Sequence, residues 1–289
     1  MANTDWQNSL NWYMGHFPES QFLVPKDHKE EYNKRVILGH SIASKSNVLI
    51  CGIVRNAASV LPYTLARIEA LGKLFGNYHV FLYENDSKDE TKKILSAAQS
   101  DRLTVQMEDL NPPTFHDLKG LDRRIWMAKA RNQYLAFARK YAQQQRINYL
   151  IIVDTDLQGG WSYHGVLNSL GQIDWDIIGS NSLYYFEKDD RLIRLFYDSW
   201  AFRSDGIEEE VEDNIVNLFK FNRGEPLIKV NSCFGGLGIY KPHFLYEGID
   251  YDETDCDHPT LHNRLCKKDY NIFLNPSQIT LYNKTEYVI

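Results

Sequence analysis

Two patterns of apolar and polar residues recur along the first half of the chain. Short β-rich apolar runs stand at residues 47–54, 78–86, 102–108 and 148–156. Between them, apolar residues return every three or four positions over residues 55–75, 87–99 and 123–145. The first pattern is typical of buried strands, and the second is typical of helices that bury one face. The sequence therefore predicts four strands that alternate with three helices.

Strands that alternate with helices favour parallel β–α–β units in an open sheet. We expect an α/β fold with a single Rossmann-like domain over residues 47–289, in which helices flank a mostly parallel central sheet. Residues 1–46 are a polar extension with several aromatic residues, and residues 27–42 within it are predicted to form a helix. The domain divides near residue 160, where the regular alternation ends.

The second half of this domain, residues 161–289, is less regular. Strands are predicted at residues 174–186 and 197–203, and the segment at residues 227–242 combines apolar residues with glycines. The acidic run at residues 205–213 is most simply a solvated loop or the start of a helix.

Composition narrows the class of protein. Of the 289 residues, 43% are hydrophobic and 24% are charged, which is ordinary for a soluble globular protein with a core. The net charge of −6 gives little support to nucleic-acid binding, which favours a basic surface. The four cysteines show no spacing typical of a metal site, so we expect reduced thiols, as in cytoplasmic proteins.

The sequence shows no pattern of membrane insertion. The N-terminal residues have no basic start followed by an apolar core, so no signal peptide is expected. No stretch approaches the roughly 18 apolar residues that a membrane-spanning helix requires. We expect a cytoplasmic protein, and peripheral membrane association through the aromatic N-terminal extension stays open.

Polar side chains follow the predicted strands at the point where each strand ends. Arg55 follows the first strand, Glu84 and Asp86 close the second, and Asp154 and Asp156 close the fourth. In open parallel sheets, ligands bind at the carboxyl ends of the strands. The sequence therefore predicts a binding site at this edge of the sheet.

Asp154 and Asp156 carry the clearest chemistry on this edge. Two carboxylates so close repel each other unless a cation lies between them. A divalent cation, Mn²⁺ or Mg²⁺, is held by such hard oxygen ligands, and phosphate oxygens fill its remaining positions. A turn at the end of a strand explains one aspartate more readily than two.

Six segments resemble the GT-A glycosyltransferases, enzymes that transfer a sugar from a nucleotide-sugar donor. They stand in the family's order, with the Asp-x-Asp (DXD) motif fourth: ICGIVRNAASVLPYTL, VFLYENDSKDET, AKARNQYLAFA, YLIIVDTD, CFGGLGIYK and DCDHPTLHNRLCKKDYNIFLNP. The resemblance covers about residues 47 to 276 and leaves the N-terminal extension unmatched. The segment YENDSKDETKKIL is also faintly similar to capsule-type α-mannosyltransferases.

The resemblance implies a GT-A fold, with residues 47–160 as the nucleotide-sugar-binding half and residues 161–289 as the acceptor-side half. It implies a metal-dependent glycosyltransferase that uses a UDP- or GDP-sugar and a glycan or small-molecule acceptor. The metal would be held by Asp154 and Asp156, with Asp156 as the direct ligand. The residues implied in donor binding are Arg55, Glu84, Asp86, Arg131, Asn132 and Asp154.

On the acceptor side, the resemblance implies roles for Trp161, Gly235 and Gly236. Two adjacent glycines let the backbone pass close to a ligand, although a tight turn explains them equally well. Trp161 would stack on a sugar, with a packed loop aromatic as the alternative. Structural explanations also stay open for the donor residues, namely a helix cap at Glu84 and Asp86 and a solvated helix face at Arg131 and Asn132.

The C-terminal motif departs from the commonest family pattern. Many inverting members have Glu-Asp here, and the Asp serves as the base, but this chain has Asp257-His258 at that position. In several retaining members a C-terminal histidine completes the metal site, which implies His258 as a metal ligand with His262 one helical turn away. A base could still come from Asp255, Glu253 or Asp257. The resemblance therefore leans slightly towards a retaining reaction.

Three other functions share some of these residues. An aspartate-nucleophile phosphatase also places Asp-x-Asp at a strand end, but it carries Thr or Val where this chain has Gln158. A nucleotidyltransferase needs a glycine-rich basic loop after the first strand, and this chain offers one glycine and one arginine there. A non-catalytic carbohydrate-binding or scaffold protein would bind glycans without metal, and binding would survive the loss of Asp156.

Overall fold

The computed structural model describes residues 15–111, 120–189, 191–208 and 215–282. Within them the helices are α1 Lys29–Ala43, α2 Leu61–Gly72, α3 Thr91–Ala98, α4 Gly120–Gln144, α5 Tyr163–Leu170 and α6 Asp257–Cys266. The strands are β1 Asn47–Val54, β2 Asn77–Asn85, β3 Leu103–Glu108, β4 Tyr149–Asp154, β5 Gly160–Trp161, β6 Ile177–Lys188, β7 Arg191–Phe196, β8 Ile228–Lys229, β9 Leu237–Tyr240 and β10 Ile272–Leu281. Single 3₁₀ turns stand at Glu19–Gln21, Val216–Leu218 and Pro242–Glu247. The four strands and three helices predicted for the first half, and the helix in the extension, are confirmed.

The strands form one sheet in the order β3-β2-β1-β4-β9-β6-β10-β5, with β7 on β6 and β8 on β10. β1 to β4 are mutually parallel, as expected. The expectation of a mostly parallel sheet is wrong for the second half, because β9 runs antiparallel to both β4 and β6. The reason lies at the end of β4, where the Asp154 N–H donates to the Gly236 carbonyl (2.8 Å), so the chain enters β9 at that end and runs back along β4.

The strand predicted at residues 197–203 is not formed. The pairing with β6 ends at Phe196, and the next two N–H groups are taken by Ser182. The chain then turns, and the Phe202 N–H donates to the Ser199 carbonyl. This turn carries Asp198 towards the end of β4 instead of along the sheet edge. The acidic run at residues 205–213 lies partly outside the described residues.

Helices cover both faces of the sheet. On one face, Leu49 and Cys51 of β1 belong to an apolar cluster with Tyr134 of α4. On the other face, Val48 and Ile50 belong to a cluster that includes residues of α2 and α5. Because β1 and β4 are buried on both faces, their sequences are continuous apolar runs rather than alternating ones. None of the described helices is both long and apolar enough to cross a membrane.

The N-terminal extension is packed onto the domain through α1 and α5. A methyl group at Gly39 would lie 1.7 Å from the Leu167 carbonyl oxygen, and one at Gly171 would lie 2.1 Å from the Arg35 carbonyl oxygen. Both backbones therefore approach so closely that only glycine fits. Arg35 also donates to the Gly171 carbonyl (3.0 Å).

A buried arginine fixes the loop that follows the Asp-x-Asp motif. Arg67 of α2 is 1% exposed. Its guanidinium donates to the carbonyl oxygens of Leu157 (2.7 Å), Gln158 (2.5 Å) and Gly15 (2.7 Å). The loop after Asp156 thus has its backbone acceptors satisfied by a charged group of the neighbouring helix, which limits how far that aspartate can move.

Replacing Arg67 by Met tests how much these hydrogen bonds to the loop carbonyls stabilise the protein. The substitution keeps the apolar stem but leaves buried carbonyls without a donor, so we expect the free energy of unfolding to fall by roughly 2–4 kcal/mol. Urea unfolding followed by circular dichroism measures the change. Lys73→Ala, which removes an exposed lysine paired with Glu69 at the end of the same helix, is the control and should cost less than about 1 kcal/mol. Equal losses in the two variants would contradict the assignment.

Candidate active site

The carboxyl ends of β1, β2 and β4 bring the predicted polar residues to one edge. Asp154 lies beside Ile53 in the pairing of β4 with β1, and Glu84 lies beside Val54 in the pairing of β2 with β1. Parallel pairing makes this edge common to all three strands. The edge predicted as the binding site is therefore the one at which these carboxylates meet.

Asp154 is held by groups from three other segments. Its Oδ2 accepts from the Tyr282 hydroxyl (2.5 Å), its Oδ1 lies 3.6 Å from the Arg131 Nη2, and its N–H donates to the Gly236 carbonyl. Burial raises the pKa of Asp154, although Arg131 and the Tyr282 hydroxyl act in the opposite direction. The side chain of Asp154 is thus fixed in orientation. A further positive charge nearby would lower its pKa and favour the ionised form.

Asp156, two residues on, points its carboxylate into solvent from the same edge. The surrounding protein, and next the charge of Asp154, raise the pKa of Asp156 to about 6. Because the Asp156 side chain is exposed to water, burial contributes less to its raised pKa. Repulsion by the Asp154 carboxylate is therefore the main cause of the raised pKa. Two carboxylates that disfavour each other's ionisation form an arrangement that a cation stabilises.

The donor chemistry of Asp154 and Asp156 fits a Mn²⁺ or Mg²⁺ ion, because both offer hard carboxylate oxygens. In the described part of the chain, no group of three or more His, Cys, Asp or Glu side chains is arranged to hold a metal ion. These residues therefore fit an ion that is bound by at most two carboxylates of the protein. Oxygen atoms of a substrate and of water would fill its other coordination positions. Mg²⁺ in particular is commonly bound in this way.

Arg131 and Asp257 form a buried ion pair beside the two aspartates. The Arg131 Nε donates to the Asp257 Oδ2, and both side chains are less than a tenth exposed. Burial alone would raise the pKa of Asp257, but the Arg131 guanidinium holds it well below its ordinary value. A carboxylate stabilised in this way is a weak proton acceptor, so the prediction that Asp257 serves as a base is not supported by its surroundings.

His258 and His262 are buried in a network of hydroxyl groups. His262 is hydrogen-bonded to the Ser232 and Tyr240 hydroxyls, each at 3.0 Å. His258 stacks on Phe234 with ring centroids 3.7 Å apart, and its Nε2 has no hydrogen-bond partner. Burial lowers the pKa of both imidazoles, that of His262 to about 3, so both are neutral at physiological pH.

The structure records no contact between His258 and either Asp154 or Asp156. Its unpartnered Nε2 is a neutral donor atom of the kind that metals accept, but the described residues do not bring it into one cluster with the aspartates. The predicted three-residue metal site is therefore reduced to the two carboxylates. The physical reason is the Phe234 ring and the two tyrosine hydroxyls, which fix the imidazole inside the network.

Asp255 is occupied by a structural ion pair. Its Oδ1 accepts from the Nη2 of Arg203 (2.8 Å), a side chain that is 1% exposed, and it also accepts from the Cys256 N–H. A carboxylate that compensates a buried arginine is not available as a base without leaving that charge unpaired. The alternative Glu253 is exposed in the loop before α6.

Two further predicted contacts are structural. Asn132 donates to the Tyr251 carbonyl and accepts from the Tyr251 N–H, each at 2.9 Å, so its amide fastens α4 to the loop before α6 instead of facing a donor. Trp161 is 1% exposed and belongs to the apolar cluster below the sheet. The prediction that Trp161 stacks on an acceptor sugar is wrong, because its ring is covered by core side chains.

The end of β2 keeps one open acceptor. Glu84 is fully buried, its Oε1 accepts from the Ser87 N–H (2.8 Å), and its Oε2 has no hydrogen-bond partner. Asp86 is fully engaged, since it accepts from Asn85 (2.9 Å) and Asn111 (2.7 Å). Although burial opposes it, these hydrogen bonds, and to a lesser degree the charge of Arg55, hold the pKa of Asp86 below its ordinary value.

Asp198 joins the site although sequence reasoning missed it. Its Oδ2 accepts from the Gly235 N–H (2.7 Å), and it precedes the turn that ends the β7 edge. Burial, and then the charges of Asp154 and Asp257, raise the pKa of Asp198 to about 7. The only signal in the sequence was an aspartate between aromatic residues, in YDSW, which is too common to single out.

The glycine pair explains how Asp198 and Asp154 are held together. Gly235 and Gly236 have φ values of +66° and +78°, and a methyl group at Gly235 would lie 2.2 Å from the Ser180 carbonyl oxygen. Gly235 offers its N–H to Asp198, and Gly236 offers its carbonyl to Asp154. The backbone at these glycines therefore approaches other protein groups of the site closely, namely Asp198, Asp154 and the Ser180 carbonyl.

The fold of the chain matches solved glycosyltransferase structures. The mannosyltransferase PcManGT from Pyrobaculum calidifontis, in complex with GDP-Man and Mn²⁺, matches with a TM-score of 0.50 and 11% identity, over 90% of this chain and 68% of that one. This chain has the GT-A fold. The fold implied by the sequence motifs is thereby confirmed.

Two other solved structures are similar at lower scores. GalNAc-T7 with UDP, GalNAc and Mn²⁺ matches at a TM-score of 0.48 and 10% identity over 91% of this chain and 53% of that one. S. aureus TarS 1–349 matches at 0.45 and 13% over 82% of this chain and 60% of that one, so the chain spans little more than half the length of these two. No protein-family model matches the sequence, and no curated protein is significantly similar to it.

The raised pKa of Asp198 predicts a pH dependence of stability in the absence of metal. The unfolded chain loses this proton near pH 4, and the folded protein loses it near pH 7. Between these values the folded state binds the extra proton, so the free energy of unfolding falls as pH rises. Asp198→Asn keeps an acceptor for Gly235 and removes the titration.

Thermal unfolding with chelator, from roughly pH 4 to 8, measures this dependence. We expect the midpoint of the native protein to fall with pH more steeply than that of Asp198→Asn. Asp101→Asn, at an exposed aspartate on the opposite edge of the sheet, is the matched control and should follow the native curve. Parallel curves for the native protein and Asp198→Asn would show that Asp198 ionises normally.

Proposed function

We propose that the protein is a metal-dependent glycosyltransferase that moves a sugar from a nucleoside-diphosphate sugar to a hydroxyl acceptor. The observation that supports this most is the pairing of Asp154 and Asp156 at the carboxyl edge of a GT-A sheet, where the pKa values of both are raised and that of Asp156 is raised in part by Asp154. Binding a cation is the simplest way to relieve that repulsion. PcManGT, whose fold matches, is solved with GDP-Man and Mn²⁺.

In the proposed site, Asp154 and Asp156 hold the cation. A bound Mn²⁺ or Mg²⁺ supplies the positive charge that makes the donor diphosphate a better leaving group. Tyr282 and Arg131 orient Asp154 through its two oxygens. These residues position the carboxylates before the substrate arrives, so little reorganisation is needed at the moment of transfer.

The nucleoside part of the donor would lie at the end of β2. The unpartnered Oε2 of Glu84 is the acceptor atom that can take a ribose hydroxyl or a base N–H, whereas both oxygens of Asp86 are already used. Arg55 follows β1 at the same edge, and we assign it to the donor as well. The proposed donor is a UDP- or GDP-sugar.

The transfer breaks the bond between the anomeric carbon and the diphosphate oxygen and forms a bond to the acceptor oxygen. The acceptor hydroxyl loses its proton either to a base of the protein or to the departing diphosphate. The Arg131 guanidinium holds the pKa of Asp257 low, and Asp255 is engaged in an ion pair with the buried Arg203, so neither is suited to accept it. Retention is the expected outcome, because the two carboxylates that the sequence motif offers as bases are both engaged in ion pairs.

Asp198 is the carboxyl group that would serve as the base if the reaction inverts. It lies beside Gly235, and its pKa of about 7 suits proton transfer near neutral pH. The anomeric configuration of the product, read by proton NMR, separates the two routes. Inversion together with a turnover loss of about 100-fold or more in Asp198→Asn would assign the base role to this residue.

Calorimetric titration with UDP- and GDP-sugars, with Mn²⁺ and with chelator, tests the proposal. We expect one nucleotide class to bind only with metal, and Asp156→Ala to weaken that binding by about 100-fold, since a ligand of the cation is lost. Asp101→Ala, at an exposed aspartate on the opposite edge of the sheet, should bind as the native protein does. Glycan binding without metal, and no nucleotide affinity, would favour the carbohydrate-binding scaffold instead.

A further inference from the structure

A second polar cavity adjoins the candidate active site. It has a volume of about 580 Å³, and it is lined by residues from the start of α4, from the loop before α6 and along α6. Cavities of this size accommodate small ligands, but most such sites are lined by apolar side chains. This one is lined by charged and polar side chains, which indicates a charged ligand.

The lining is cationic although the protein as a whole is acidic. Arg124, Arg264 and Lys267 contribute three positive charges, against the carboxylate of Asp255 in the lining and that of Asp252, which pairs with Arg264. The Asp255 carboxylate is already compensated by the buried Arg203, so it offsets little of the local charge. In a chain with a net charge of −6, such a local excess of positive charge favours an anion.

The three cations differ in what surrounds them. Arg264 is paired with Asp252 and donates to the Asp250 carbonyl, which orients its guanidinium at the rim. In the described part of the chain, Lys267 has no acidic partner, and its side chain is exposed. The side-chain amide of Asn263 adds a hydrogen-bond donor to the wall, whereas the Thr254 and Thr260 hydroxyls, which also line it, already donate to Asp252 and to the Asp257 carbonyl.

The cavity is linked to the candidate active site by hydrogen bonds of α6. The Thr260 hydroxyl donates to the Asp257 carbonyl (2.7 Å), and Asp257 is the partner of Arg131. Arg203 connects the cavity to the backbone of Trp200, because its Nη2 donates to Asp255 (2.8 Å) and its Nη1 donates to the Trp200 carbonyl (2.9 Å). The Trp200 side chain is 43% exposed.

We propose that this cavity binds a phosphate group carried by the glycosyl acceptor, with Trp200 against the acceptor sugar. The proposal rests on the proposed glycosyltransferase function and adds the chemical class of the acceptor. Guanidinium groups bind phosphate through paired N–H donors, and a tryptophan ring suits the apolar face of a sugar. Phosphate is preferred over carboxylate because it carries up to two negative charges and can meet both guanidinium groups of the lining and the Lys267 ammonium group.

Nuclear magnetic resonance of the ¹⁵N-labelled full chain, in chelator, tests the phosphate site directly. The probes are inorganic phosphate, glucose 6-phosphate, glucuronate and glucose. We expect saturable shifts of the Thr260, Asn263 and Lys267 amides with both phosphate probes, tighter binding of glucose 6-phosphate than of inorganic phosphate, weaker binding of glucuronate, and no shift with glucose.

Lys267→Gln should weaken glucose 6-phosphate binding at least threefold, and the Arg124→Gln, Lys267→Gln double variant at least tenfold. Lys268→Gln is the matched control, because this neighbouring lysine is exposed, lies outside the cavity lining and pairs with Glu247 instead. Its affinity should equal that of the native protein. The native-like spectrum of each variant shows that it is folded.

Four results would overturn the proposal: no shifts along α6 with either phosphate probe, equal affinity in the native protein and the double variant, binding of inorganic phosphate without glucose 6-phosphate, or tighter binding of glucuronate. Nucleotide-sugar binding with Mn²⁺ is followed by calorimetry in separate, chelator-free samples of the same proteins. A protein that binds phosphate at α6 but no nucleotide sugar would remove the glycosyltransferase proposal. A protein that binds a nucleotide sugar without phosphate at α6 would remove only the acceptor assignment.

Discussion

Arg131 is buried between two carboxylates that come from different parts of the chain. It pairs with Asp257 at the start of α6 and lies 3.6 Å from Asp154 at the end of β4. An arginine enclosed by protein needs such partners, because an unpaired buried charge is strongly destabilising. The position of α6 relative to the sheet is therefore tied to the charge balance of the site. The same contact keeps Asp257 ionised and orients Asp154, so one guanidinium determines the roles of both.

The remaining carboxylates of the site are left with too little positive charge. Asp154, Asp156 and Asp198 all have raised pKa values; burial is the first cause for Asp154 and Asp198, and the charge of Asp154 is the main cause for the exposed Asp156. Arg131 cannot compensate all of them, since its Nε is already engaged by Asp257. The protein thus holds the aspartates in an arrangement that costs free energy when they are ionised and alone. A cation bound at the proposed site would relieve that cost, and the free energy released would add to its affinity.

Local patterns predicted the first half of the molecule because its structure is locally determined. β1 and β4 are buried on both faces, so apolar runs and intervening periodic helices were sufficient to place the first strands, and Asp154 and Asp156 followed from the end of β4. The second half depends on contacts distant in sequence. The antiparallel course of β9, the burial of Trp161 and the arrival of Asp198 beside Gly235 are set by packing that no short window of sequence contains.

The close packing of α1 against α5 bears on which part of the chain can fold independently. Gly39 and Gly171 each admit the backbone of the other helix at a distance that excludes any side chain. α5 leads directly from the loop held by Arg67 to β6, so it belongs to the scaffold beneath the aspartates. A recombinant fragment that starts at residue 47 would therefore present a bare helix face to water. We therefore expect that the region resembling the GT-A motifs, about residues 47 to 276, is shorter than the part of the chain that folds as one unit. Truncated proteins should accordingly begin upstream of α1.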